Sequence, residues 1–320
     1  MSRILSSKAG TVLLSLVAGA TLASAAWWLS TGGDADDPEA GGEVSVVFSQ
    51  GPSGATRLIE DSRRFDDVVE AVNTEIALPR DLEVRVVGDR DAADQGISGP
   101  TYVPQEHVVY FPWSFVLDSR RELEALSRRT PGFTPKEADE VLAAAMQFAL
   151  YHELAHGIID AAGVPVLAGH ERTADSLATV LSLVSDERGE ALPLSIAVLE
   201  FAAAGTRGAP TLAAYADDHG LDRQRAFDAI CAVYGSDPEG HDGLLSGPNA
   251  LPPTRAELCP YDYERLVDDW RAVLADHLTS EGTLLPPGFE PPPQRSHPGG
   301  RDQVEDELHG GQRVAGDGGK

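Results

Sequence analysis

The sequence predicts an α+β fold: a small sheet of about three strands packed on one long helix, followed by an all-helical C-terminal half. Three observations point there. Short β-branched runs at residues 43–48, 82–87 and 101–117 read as strands, and all precede residue 118. From Ser119 onward the apolar residues recur almost throughout at helical spacing. Early in the second regime lies an Ala-rich apolar run with a helix-start signature, long enough to cross a domain.

The chain opens with Arg3 and Lys8, an apolar stretch from Thr11 to Ala26, and the small-residue sequence Ala23-Ser24-Ala25. Residues 1–30 therefore read as an export signal peptide. The alternative is an uncleaved N-terminal membrane anchor over Thr11–Leu29, with Trp27 and Trp28 at the interface. Both place the body outside the cytoplasm, secreted or held at the cell envelope. With no cysteine near the cleavage site, a lipoprotein is excluded. Residues 31–42, rich in Gly, Asp, Glu and Pro, form a flexible linker.

The folded domain is expected over residues 43–279. Glu43–Phe48 is its first strand, and Arg57–Ala77 a helix with Phe65, Val68, Val69, Val72 and Ile76 on one face. Leu82–Val87 alternates as a second strand, and the acidic stretch Gly88–Gly99 reads as a loop. Thr101–Leu117 is the third β segment, centred on Val108-Val109-Tyr110-Phe111. Pro112 removes a ladder donor, which favours a sheet edge or a strand end. An edge strand beside a cleft could pair with an extended peptide, although the same residues suit an ordinary edge strand. Thr134-Pro135-Lys136-Glu137 is a capping box with Pro at the first helical position, opening a helix that ends near Gly163. Further helices follow near 172–186, 194–204, 211–218, 222–233 and 261–278. Residues 280–320, with Pro286-Pro287, Pro291-Pro292-Pro293 and Gly310-Gly311, read as a disordered tail.

Composition narrows the partners. The 25 Lys and Arg face 51 Asp and Glu, a formal net charge of −26. Such a surface repels phosphate backbones, so nucleic-acid binding is not expected. Cys231 and Cys259 are the two cysteines. In an exported chain an even count favours one disulfide, worth on the order of 3 kcal/mol in the loop-entropy account; two buried free thiols are the alternative.

The chemistry concentrates in Tyr151-His152-Glu153-Leu154-Ala155-His156-Gly157, a H-E-x-x-H motif on the long helix. His152 and His156 sit one turn apart, ~6 Å along the axis, and project from one face. That suits two imidazoles on one tetrahedral Zn²⁺, with Glu153 placed to take a proton from a metal-activated water. A third ligand is sought just beyond. Glu171 and Asp175 are four apart and share a face of the next helix. One would complete a His₂-carboxylate site, and a second carboxylate could hold a ligand histidine by its other N–H. His170 competes as ligand but faces another way than its neighbour Glu171. Tyr215, His219 and Tyr234 are candidate oxyanion stabilisers, in helices that could form the far wall of a cleft.

The arrangement His152-Glu153-x-x-His156…Glu171-x-x-x-Asp175 resembles a gluzincin, the thermolysin-like group of zinc peptidases. More closely, the chain resembles a bacterial "putative metallopeptidase" family, otherwise a domain of unknown function. The matching segments are His152–Asp160, Pro165–Gly169, Glu171…Ala174-Asp175, Asp218–Arg225, Cys231–Pro238 and Leu251–Cys259. The resemblance covers roughly residues 44–278. It implies a zincin-like fold with Zn²⁺ at His152, His156 and Glu171, Glu153 as general base, and Asp175 behind His152. The interval from His156 to Glu171 is shorter than in thermolysin-like enzymes, so Asp175 stays open as third ligand. The expected function is a zinc-dependent peptidase acting on a peptide or protein substrate. The alternative is a non-catalytic, zinc-stabilised scaffold or binding protein of the envelope.

Overall fold

The computed structural model describes residues 41–166, 169–185, 189–207, 209–216, 221–247 and 249–284. The signal or anchor segment, most of the linker, the tail from residue 285 and His219 lie outside them. Among the described residues no helix is long and apolar enough to cross a membrane.

The fold is α+β. Its sheet has four strands: β1 (Val44–Phe48), β2 (Leu82–Val87), β3 (Thr101–Val103) and β4 (Val108–Pro112), ordered β1-β2-β4-β3. β1 and β4 run parallel to β2, while β3 is an antiparallel edge strand on β4. The third β segment of the sequence is thus a hairpin. Pro112 is the last residue of an interior strand, so its missing donor falls at a strand end rather than at the sheet edge. Alternation along the strands sorts the faces. Leu82, Val84, Val86, Val109 and Phe111 enter the main core, while Val87, Val108 and Tyr110 form a small cluster on the opposite face.

Two elements differ from the sequence reading. The acidic stretch 88–99 contains α3 (Asp89–Asp94), whose Ala92 covers that opposite face. The helix expected over residues 57–77 is two helices, α1 (Ser53–Ile59) and α2 (Arg64–Glu75). Arg63 between them has φ 58°, a left-handed conformation no helix interior accommodates. The buried stripe Phe65, Val68 and Val72 lies on α2 as expected.

After α4 (Trp113–Arg129), the capping box opens α5 (Pro135–Ala161), with both reciprocal Thr134–Glu137 bonds formed. This 27-residue helix is buried along most of its length. Gly157 lets it lie close on the sheet: a Cβ there would come within 2.6 Å of a methyl of Leu82 on β2. The helical half comprises α6 (His170–Ser185), α7 (Ala191–Arg207), α8 (Leu212–Tyr215), α9 (Asp222–Ser236), α10 (Pro253–Ala256) and α11 (Cys259–Val273). The Cys231–Cys259 disulfide joins α9 to α11, replacing the free-thiol alternative. Past α11 the chain returns to the N-terminal layer and packs as far as Leu284, beyond the boundary expected at 279. There the buried Glu75 carboxylate accepts from the Thr283 and Leu284 backbone N–H groups.

Candidate metal centre

The site is built where α6 returns along α5. His152 and His156, one helical turn apart on α5, direct their Nε2 atoms towards each other at 3.2 Å. Glu171, in the first turn of α6, places Oε2 3.1 Å from His152 Nε2 and Oε1 3.5 Å from His156 Nε2. Ligands held ~2.0–2.1 Å from a tetrahedral zinc are separated by about 3.3–3.4 Å along each edge. The two Glu171 oxygens each approach one imidazole nitrogen near that distance, and one atom from each residue lies within 4.8 Å of the others, so the set could close on a small cation. Lone pairs converging from two imidazoles and a carboxylate need positive charge between them, either a proton or a metal.

Asp175, one turn beyond Glu171, takes the other side of His152, with Oδ1 2.8 Å from Nδ1. When the ring is neutral, that contact places the proton on Nδ1 and leaves the Nε2 lone pair facing the cluster. Asp175 is held in turn by Arg225 of α9, whose Nε and Nη2 each donate to it at 2.8 Å. Arg225 Nη1 donates to Glu200 of α7 at 3.0 Å. Four helices thus meet behind one imidazole. Burial opposes ionisation of Asp175, but the Arg225 guanidinium and His152 outweigh it and hold the carboxyl well below its ordinary range. Burial likewise opposes ionisation of Glu171, and the two histidines overcome it in the same direction. For His152, burial disfavours the charged ring, while Asp175 and Glu171 push it up to about 10 in the metal-free chain.

Glu153 is also buried, and its Oε2 accepts a hydrogen bond of 2.8 Å from the backbone N–H of Tyr102 on β3. The carboxylate beside the histidines is therefore tied to the edge strand. The Tyr102 hydroxyl donates to Asp160, one turn beyond His156 on α5, at 2.7 Å. Asp160 also accepts from Arg80, and His107 Nδ1 lies 3.2 Å from the Tyr102 hydroxyl.

The structure brings together His152, Glu153, His156, Glu171 and Asp175. His170 is exposed at the start of α6. Tyr215 is exposed on the short α8, and Tyr234 packs on the apolar cluster around the disulfide, so neither is tied to the three ligand atoms. The sequence reading missed Tyr102, Asp160, His107, Arg80 and Glu200 as site residues, and gave Arg225 no role in the site beyond its place in a matching segment. Asp160 carried a signal, four residues after His156 on the same helix. Tyr102, Arg80 and Glu200 reach the site through pairings 25 to 80 residues apart that no local spacing encodes, and His107 follows through Tyr102.

This fold and cluster define a class: an α+β protein with a helix-borne His-His-Glu set able to hold a metal ion. The chain belongs to the family described as "putative metallopeptidase", whose model matches residues 49–274. No curated protein and no solved structure matches the chain. The family description implies a metal and suggests peptidase activity.

Proposed function

We propose that the chain is a zinc-dependent peptidase that works outside the cytoplasm on peptide or protein substrates. The observation that carries this reading is the cluster of His152, His156 and Glu171, whose ligand atoms, one from each residue, lie within 4.8 Å of one another beside the buried carboxylate of Glu153. Zinc held there would supply Lewis-acid polarisation of the scissile carbonyl and ease deprotonation of water. Glu153 takes the proton from the attacking water and returns it to the leaving amine. Asp175 fixes the His152 ring through Nδ1, and Arg225 fixes Asp175. The Cys231–Cys259 disulfide supports an oxidising compartment and hence export.

Glu153→Gln tests the assignment. The variant should lose cleavage of an unfolded protein such as labelled casein while keeping its zinc content and melting temperature. Wild-type protein that holds zinc yet cleaves no faster than this variant would overturn the peptidase reading. It would favour the zinc-stabilised scaffold instead, since the same ligands cross-link α5 to α6.

A further inference from the structure

Tyr102 makes two bonds to α5 at once. Its backbone N–H donates to Glu153 Oε2 at 2.8 Å, and its hydroxyl donates to Asp160 Oδ2 at 2.7 Å. Glu153 and Asp160 are two turns apart, ~10.5 Å along the axis and within ~20° of the same helix face. One residue therefore spans residues 153–160 of α5, a stretch that includes His156 and begins directly after His152. The register explains how. Tyr102 lies opposite Val109 of β4 at the centre of a three-residue edge strand, and its N–H is turned outward to the helix.

The distal end of this span is itself secured. Asp160 Oδ2 accepts a charge-assisted bond from Arg80 Nη2 at 2.8 Å, just before β2. The hydroxyl proton of Tyr102 is committed to Asp160, so the 3.2 Å contact to His107 Nδ1 requires that nitrogen to donate. His107 sits in the β3–β4 turn with φ 54°, a conformation uncommon for a residue with a side chain. Strand, turn and helix thus converge on one phenol.

We propose that Tyr102 and Asp160 are positioning residues for Glu153. The phenol–carboxylate bond fixes β3 along α5, and the fixed strand presents the N–H that orients the Glu153 carboxylate. This rests on the peptidase reading for its effect on turnover, but not for the clamp itself. A carboxylate that must take and return a proton at one point gains from a single orientation, because a misplacement of ~1 Å can cost on the order of 100-fold in rate. Neither Tyr102 nor Asp160 touches substrate in this role.

The test uses the full zinc-loaded chain and the variants Tyr102→Phe, Asp160→Ala and the double variant. Hydrogen exchange at the residue-102 amide is read alongside steady-state hydrolysis of labelled casein, zinc content and melting temperature. Each single variant should raise exchange at amide 102 at least tenfold while amide 103, which strand alternation turns towards its partner Val108 on β4, keeps its protection. Each should lower kcat roughly 10- to 100-fold with KM and zinc content unchanged. The double variant should be no worse than the poorer single one, since all three remove the same bond. Unchanged exchange at amide 102 in both singles overturns the clamp. Faster exchange with unchanged kcat overturns the positioning role. So does a fall in kcat that merely follows loss of zinc or a lower melting temperature. If wild type cleaves casein no faster than Glu153→Gln, the peptidase reading fails, and the exchange data alone decide the clamp.

Discussion

His152 has two faces, and each makes a different demand. Its Nε2 faces Glu171 and His156, and its Nδ1 faces Asp175. In the metal-free chain these carboxylates hold a proton on the ring up to a pH of about 10 against the opposing effect of burial. A group raised above its unfolded value near 6.5 contributes stability that is full below that pH and is lost as pH climbs towards 10. Metal needs the deprotonated ring, so proton and zinc compete. Between about pH 7 and 10, zinc affinity should rise by up to tenfold per pH unit and binding should release a proton. Calorimetric titration in buffers of differing ionisation heat measures that release, and a pH-independent affinity would contradict it. Arg225 acts one step further out. Arg225→Leu leaves Asp175 without its bidentate partner, so zinc affinity should fall roughly 10- to 100-fold and the melting temperature should drop. Arg225→Lys should rescue little, because an ammonium cannot reproduce two parallel N–H bonds to one carboxylate.

At the scale of elements, α5 was legible in the sequence because everything that makes it is local: the Thr134–Glu137 box, Pro135, and an apolar run without a break. The His152–His156 spacing and the shared face of Glu171 and Asp175 are equally local, so most of the inner site could be read from sequence. The split between α1 and α2 was not legible, because nothing local interrupts the apolar period at the left-handed Arg63. Helix α3 was hidden for the opposite reason, as only Ala92 marks its buried face. The close crossing of α9 on α11 also escaped detection. A Cβ at Gly235 would lie 2.3 Å from the carbonyl oxygen of Cys259, a backbone atom pinned by the disulfide one turn away on α9. Neither helix can easily retreat. Gly235→Ala should therefore destabilise by roughly 1–3 kcal/mol despite the better helix propensity of Ala, as read by denaturant midpoint. A variant as stable as wild type would mean that the crossing can relax.

At the scale of the whole molecule, two ties join the α/β layer to the helical half. The ligand cluster links α5 to α6 at the interface. The returning chain beyond α11 places Leu284 in the core and binds Glu75 at the end of α2 through Thr283 and Leu284, with the Thr283 hydroxyl reaching both Glu75 and Val184 of α6. With these ties, neither half can open without exposing apolar surface of the other, so unfolding should be one cooperative event. Trp113 lies under the sheet and Trp270 in the helical half, so each reports on its own side. Chain variants that retain only one of this pair should give the same midpoint, and chelation should move both together. Zinc at a thousandfold excess over its Kd contributes about 4 kcal/mol, which for a domain of this size is roughly 10 °C in melting temperature. If chelation lowers the midpoint reported by Trp270 and leaves that of Trp113 in place, the helical half unfolds by itself. The metal would then be a local staple, not the joint between the two layers.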